Sequence, residues 1–149
     1  MRLLHKARRL SMRDWTVLLE AWALFPIMDL GLRLLPFSRL RAACRPRAGR
    51  ARSGATEPPA VVIERCARLA SVAGRYSPVR VTCLNEALVL SALLARRGLA
   101  TTLRIGVARP NGDFAAHAWL EHDGRIILGE PRGDAFAPLY ASVGDRHPT

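Results

Sequence analysis

Lysine is almost missing from this chain. Lys6 is the only one, although 23 basic residues stand against 12 acidic ones over 149 positions, a formal charge of +11. The charge is therefore nearly all arginine, and it is spread along the sequence. A nucleic-acid interface more commonly mixes both cations and interleaves aromatics on one face, so nucleic acid is not the expected partner. An acidic partner or an anionic membrane surface fits the charge as well. Cysteine is also scarce. Cys44, Cys66 and Cys83 are an odd set without a CxxC pair or paired histidines, which excludes a disulfide framework and the common zinc motifs. Free thiols in a reducing compartment, and hence a cytoplasmic location, are expected. No uninterrupted apolar span occurs either. Residues 15–35 are strongly apolar, yet a membrane helix there would have to bury Glu20 and Asp29 and tolerate Pro26. The basic start (Arg2, Lys6, Arg8, Arg9) suits a signal peptide, but no small-residue cleavage pattern follows. Neither segment type is expected, and no internal repeat is visible.

What is present is a globular chain. Half of its residues are hydrophobic and the mean hydropathy is +0.06, enough for one domain with a real core. A helix is expected to start at Ser11, with Asp14 completing a capping box. Proline ends or kinks a helix at the preceding residue, so two helices are expected to meet near Pro26. Their apolar side chains, Trp15, Leu18, Leu19, Trp22 and Phe25, must cover the core, a partner or a membrane surface. Residues 45–59 are rich in arginine, glycine and proline and are expected to form a loop. They divide an N-terminal helical segment (1–44) from the main domain (60–149). That domain opens with an amphipathic helix over 60–76, with Val61, Ile63, Cys66, Leu69 and Val72 on its apolar side. Cys66 on that stripe and Cys44 in its arginine-rich stretch have no histidine nearby in sequence and are expected to be structural.

A second helix over 82–98 is apolar around most of its circumference, as a central core helix would be. Thr82 is its expected N-cap, Arg96 and Arg97 suit its negative end, and Gly98 suits the left-handed position after it. Cys83 then lies in the first turn, where positive potential favours a thiolate. From residue 100 the period changes to two. Leu103, Ile105 and Val107 alternate with polar or small residues, 110–113 form a turn, and Asp123-Gly124 joins strands over 114–122 and 125–130. One more short strand is expected around Phe136, Leu139 and Tyr140. Helices followed by an antiparallel sheet make the fold class α+β.

If Asp123 and Gly124 are the two loop residues of a type I′ turn, cross-strand partners have numbers summing to 247. His122 then faces Arg125, Glu121 faces Ile126, and His117 faces Glu130, with Cβ atoms about 5 Å apart. Asp123 lies roughly 20 Å from His117 along the strand, and Glu121 roughly 13 Å. Glu130 is therefore the expected partner of His117. A thiol at a helix start, a strand histidine and a carboxylate on the next strand are the parts of a cysteine nucleophile triad. Backbone N–H groups at the start of the Cys83 helix can bind the oxyanion. No metal or cofactor is needed. Taken singly, an inert core thiol and a satisfied sheet histidine remain alternatives.

The pattern Cys83-Leu84 opening a helix, then Leu94-Ala95-Arg96-Arg97-Gly98, Ile105-Gly106-Val107, His117-Ala118-Trp119-Leu120-Glu121 and Asp123-Gly124 resembles the transglutaminase-like leader peptidases of lasso peptide biosynthesis. The apolar helices ending in Arg33-Leu34-Leu35-Pro36-Phe37 are similar to that family too. The resemblance implies a papain-like or transglutaminase-like cysteine protease core, with a Cys-bearing central helix on an antiparallel sheet. It implies removal of the leader from a ribosomally made precursor peptide, so that an ATP-dependent macrolactam cyclase can act on the freed amine. Members often carry an aspartate twelve residues beyond the histidine; here that position is Gly129, and Glu130 follows it. The N-terminal part is helical and short, so the resemblance is to the stand-alone form that works with a separate leader-binding protein, the RiPP recognition element. Two other functions keep part of this picture: acyl transfer to an amine, as in transglutaminases, or a non-catalytic adaptor that binds the precursor or makes peripheral membrane contact.

Overall fold

The structure is a computed structural model that describes residues 10–46, 57–108 and 115–129, and the backbone of 137–141. Four helices come first, α1 (Met12–Leu34), α2 (Phe37–Ala43), α3 (Pro59–Arg75) and α4 (Cys83–Ala95). Four strands follow, β1 (Thr102–Ala108), β2 (Ala115–His122), β3 (Arg125–Leu128) and β4 (Ala137–Ala141). The fold is α+β, as expected. The 110–113 turn and most of the 45–59 segment lie outside the described residues.

Helix α1 begins with the expected capping box. Ser11 Oγ accepts from Asp14 N, and Asp14 Oδ2 accepts from Ser11 N. It does not break at Pro26, however; one helix runs through the proline. The missing N–H costs about 3 kcal/mol. Leu24, Phe25 and Met28 around it are all buried, and each contributes about 1.5–3 kcal/mol, which together outweighs that cost. Trp22 Nε1 also donates to the Tyr76 carbonyl at 2.9 Å, tying the same turn to the end of α3.

One face of α1 covers the core and the other does not. Val17, Ala21, Leu24, Phe25 and Met28 join Cys66, Leu69, Leu88 and Leu93 in a single apolar cluster. Met12, Leu19 and Leu34 are 81%, 60% and 70% exposed, and Trp15, Trp22 and Leu30 are exposed with them. Glu20, the residue that argued against a membrane span, has a structural partner. Its carboxylate accepts from Arg96 at 2.6 Å and from Arg97 at 2.8 Å. Burial pushes this carboxyl up, and the two guanidiniums overcome that and hold it below its ordinary value. The clamp ties the middle of α1 to the end of α4.

Helix α3 buries Cys66, Leu69, Ala70 and Ala73, a stripe rotated from the expected one. Val61 and Val72 are exposed instead. The alanines allow close approach to α1: a Cβ at Gly74 would stand 3.1 Å from the Phe25 ring. Helix α4 is buried at every position from Ala87 to Ala95. Thr82 Oγ1 caps it by accepting from Asn85 N, and Gly98 takes the left-handed conformation at φ 76°. Cys44 and Cys66 are buried, as expected of structural thiols.

The sheet order is β3-β2-β1-β4. It therefore differs from a plain meander, because the last strand pairs with β1 rather than β3. Ala118 and Leu120 on β2, with Leu103 on β1, face the helical core. Asp123 and Gly124 both have positive φ, 47° and 75°, as a type I′ turn requires. The pairs His122–Arg125 and Glu121–Ile126 are those the turn predicts. Beyond them the register slips, and Leu120 pairs with Leu128. Ile127 is the extra residue of a β-bulge. The bulge lets two consecutive residues, Ile127 and Leu128, both pack on the core, which strict alternation of a pleated strand forbids. The ladder that placed Glu130 opposite His117 is thus not maintained, and β3 ends at Leu128.

Candidate active site

Cys83 is the first residue of α4 and is exposed, whereas the helix behind it is buried. Asn85, 1% exposed, donates from Nδ2 to the Phe25 carbonyl at 3.5 Å and fastens the start of α4 to α1. The other two thiols are of a different kind. Burial pushes Cys44 up to about 11, with its Sγ donating to the Leu88 carbonyl, and burial likewise raises Cys66. Because the thiolate is the nucleophile, iodoacetamide near neutral pH is expected to modify Cys83 alone. Peptide mapping by mass spectrometry reads this out, and labelling of Cys44 or Cys66 at a similar rate would contradict it.

The turn from α4 into β1 is short, so β1 runs back along the layer. Ser91 Oγ meets Thr101 Oγ1 at 2.7 Å, and His122 Nδ1 contacts the Ala100 carbonyl at 2.6 Å. These contacts place the end of α4, the start of β1 and the end of β2 together. A 13-residue helix and a 7-residue strand each span roughly 20 Å. Cys83 leads α4, and His117 lies in β2, whose Ala118 and Leu120 pack in the same core as that helix.

Around His117 the structure is specific. Nε2 stands 2.8 Å from the Gly129 carbonyl oxygen. The ring stacks on Trp119 with centroids 6.4 Å apart and planes 21° from parallel. Trp119 Nε1 donates to Glu121 Oε1 at 2.9 Å, and Arg104 Nε donates to Glu121 Oε2 at 3.1 Å. His117, Trp119 and Glu121 thus share the sheet face opposite to that of Ala118 and Leu120. No hydrogen bond joins Cys83 to His117. Catalytic contacts commonly tighten only with substrate in place.

Glu130 lies outside the described residues. Two features escaped the sequence. The Gly129 carbonyl carries no side-chain signal, because any residue has one. Glu86 follows Cys83 by three residues and so shares its side of the helix; burial pushes its carboxyl above the ordinary range. A carboxylate one turn beyond a candidate nucleophile was its only trace in the sequence. Among the described residues no cluster of histidine, cysteine or carboxylates could hold a metal ion, and no helix is long and apolar enough to cross a membrane.

A buried helix led by an exposed cysteine and packed on an antiparallel sheet that carries a histidine suits a papain-like or transglutaminase-like core. The family model of the transglutaminase-like superfamily matches residues 27–141. The chain belongs to that superfamily, whose members are typically cysteine proteases or acyltransferases. Comparison with curated proteins and with solved structures finds no significant match.

Proposed function

We propose that this protein is a cysteine peptidase that removes the leader from a ribosomally synthesised lasso peptide precursor. The observation that carries the cysteine chemistry is the single exposed thiol at the first turn of a buried helix. The narrower substrate rests on the motif resemblance around Cys83 and the His117-Ala118-Trp119 strand. In this proposal Cys83 attacks the scissile carbonyl. His117 takes the thiol proton and returns it to the leaving amine, and Glu130 is the acid expected to support the ring. Hydrolysis then frees the core amine for an ATP-dependent cyclase in the cytoplasm.

The exposed apolar face of α1 is the proposed docking surface for the separate leader-binding protein. Its inner face packs on the core, and Trp15, Leu19, Trp22 and Leu30 on the outer face are exposed. The test is to incubate precursor, leader-binding protein and this chain, and to weigh the products. Two fragments whose masses sum to the precursor plus one water are expected. An amine-adduct mass would indicate acyl transfer, and an intact precursor bound to the chain would indicate a non-catalytic adaptor.

A further inference from the structure

We propose that Glu86 is a specificity-determining residue, whose carboxylate, one turn behind Cys83, receives a cationic side chain of a precursor residue flanking the cut. This rests on the peptidase proposal and deepens it, by naming the chemical class of that substrate residue.

The chain is rich in arginine, and its carboxylates are matched to it. Asp14, Glu20, Asp29, Glu57 and Glu121 each meet an arginine within 3.3 Å. Glu64 and Asp123 are exposed to water. Among the described residues Glu86 is the half-buried carboxyl that no hydrogen bond or ion pair joins to a basic partner. Burial acts on it without compensation from a neighbouring charge and pushes the carboxyl up. A charge withdrawn from water is ordinarily paired. The positive end of the α4 dipole offsets part of the cost, and a bound cation offsets more of it.

The position says which cation. Thr82 and Cys83 are exposed, Asn85 is buried, and every residue of α4 from Ala87 onward is buried. Glu86 is therefore the deepest residue of α4 that still reaches water. It follows Cys83 by three residues, so the two side chains share one side of the helix with Cβ atoms about 5–6 Å apart. A peptide whose scissile carbonyl reaches the Cys83 thiol must pass its neighbouring residues within reach of that carboxylate. A lysine or arginine there gains an ion pair that a neutral residue lacks, and an acidic one meets like charge. A desolvated, unpaired carboxylate beside a nucleophile thus selects substrate by sign of charge.

The test has two arms. In the first, Cys83 is modified at about pH 8, above the ordinary carboxylate range. Two methanethiosulfonates of similar size are used, one carrying trimethylammonium and the other sulfonate, and peptide mapping follows Cys83 itself. The ratio of cationic to anionic rate is expected to fall about fivefold or more in Glu86→Gln and to hold in Glu86→Asp. Glu86→Ala serves as a second neutral variant and should give the same fall; thermal melting checks that each is folded. An unchanged ratio in either folded neutral variant overturns the proposal. In the second arm, precursors carry Lys or Gln in turn at each of the two positions on either side of the cut, and are cleaved with the leader-binding protein present. At one of these positions the Lys precursor is expected to be cut about tenfold faster. Glu86→Gln should remove that preference, and Glu86→Lys should transfer it to a precursor with Glu there. Equal rates for Lys and Gln at every position overturn the proposal. The first arm needs no cleavage, so a Glu86-dependent ratio in a chain that cuts no precursor contradicts the peptidase proposal alone.

Discussion

Replacing Cys83 with alanine is expected to reduce precursor cleavage by about 10⁴-fold or more, the scale on which removal of a nucleophile acts. Stability should hardly move, because the side chain is exposed and surface substitutions usually fall within about 0.5 kcal/mol. Thr82 keeps the cap and Asn85 keeps the tie to α1, so α4 starts where it did. The structural thiols should show the reverse. Cys66 is 1% exposed in the core cluster, so Cys66→Ala costs stability while the folded fraction keeps its activity. Initial rates of fragment formation by mass spectrometry, set beside melting temperatures, separate the two effects. Retained cleavage in Cys83→Ala would remove the proposed mechanism altogether.

The second large effect lies in α1. Phe25 is fully buried and its ring packs against Gly74 of α3. Phe25→Ala is expected to cost about 3–5 kcal/mol through lost transfer energy and the cavity left behind. For a domain of this size that corresponds to a fall in Tm of roughly 10 °C. Leu19→Ala, six residues earlier on the exposed face, should change Tm by no more than a degree or two, since little area is withdrawn from water there. If docking of the leader-binding protein uses that face, Leu19→Ala weakens the complex while leaving the fold intact. Equal melting shifts for the two variants would mean that α1 is not part of the core.

The helical half was legible wherever a local signal decided the outcome. Ser11 with Asp14, and Thr82 with Gly98, mark the ends of their helices through hydrogen bonds made within one turn, and the structure places those ends as expected. Cys83 was singled out on the same local grounds. Pro26 misled because its penalty is local whereas the burial that outweighs it is not: Leu24, Phe25 and Met28 gain their stabilisation from α3 and α4. The apolar stripe of α3 was rotated for a related reason. Small Ala70 and Ala73 face the neighbouring helices because close approach needs them there, and large Val61 and Val72 stay outside.

In the sheet, Asp123-Gly124 by itself determined the turn and the first two cross-strand pairs, since only residues that tolerate positive φ close a two-residue loop. Pairing of β4 with β1, the bulge at Ile127, and the group that meets His117 were decided only by the tertiary structure. Each depends on contacts between residues far apart in sequence or on how two neighbours share one buried face. Cys83 and His117 were visible as chemistry in the sequence. The contact of the His117 ring with the Gly129 carbonyl exists only in the folded sheet, because the bulge at Ile127 and the left-handed Gly129 bring that oxygen to the ring.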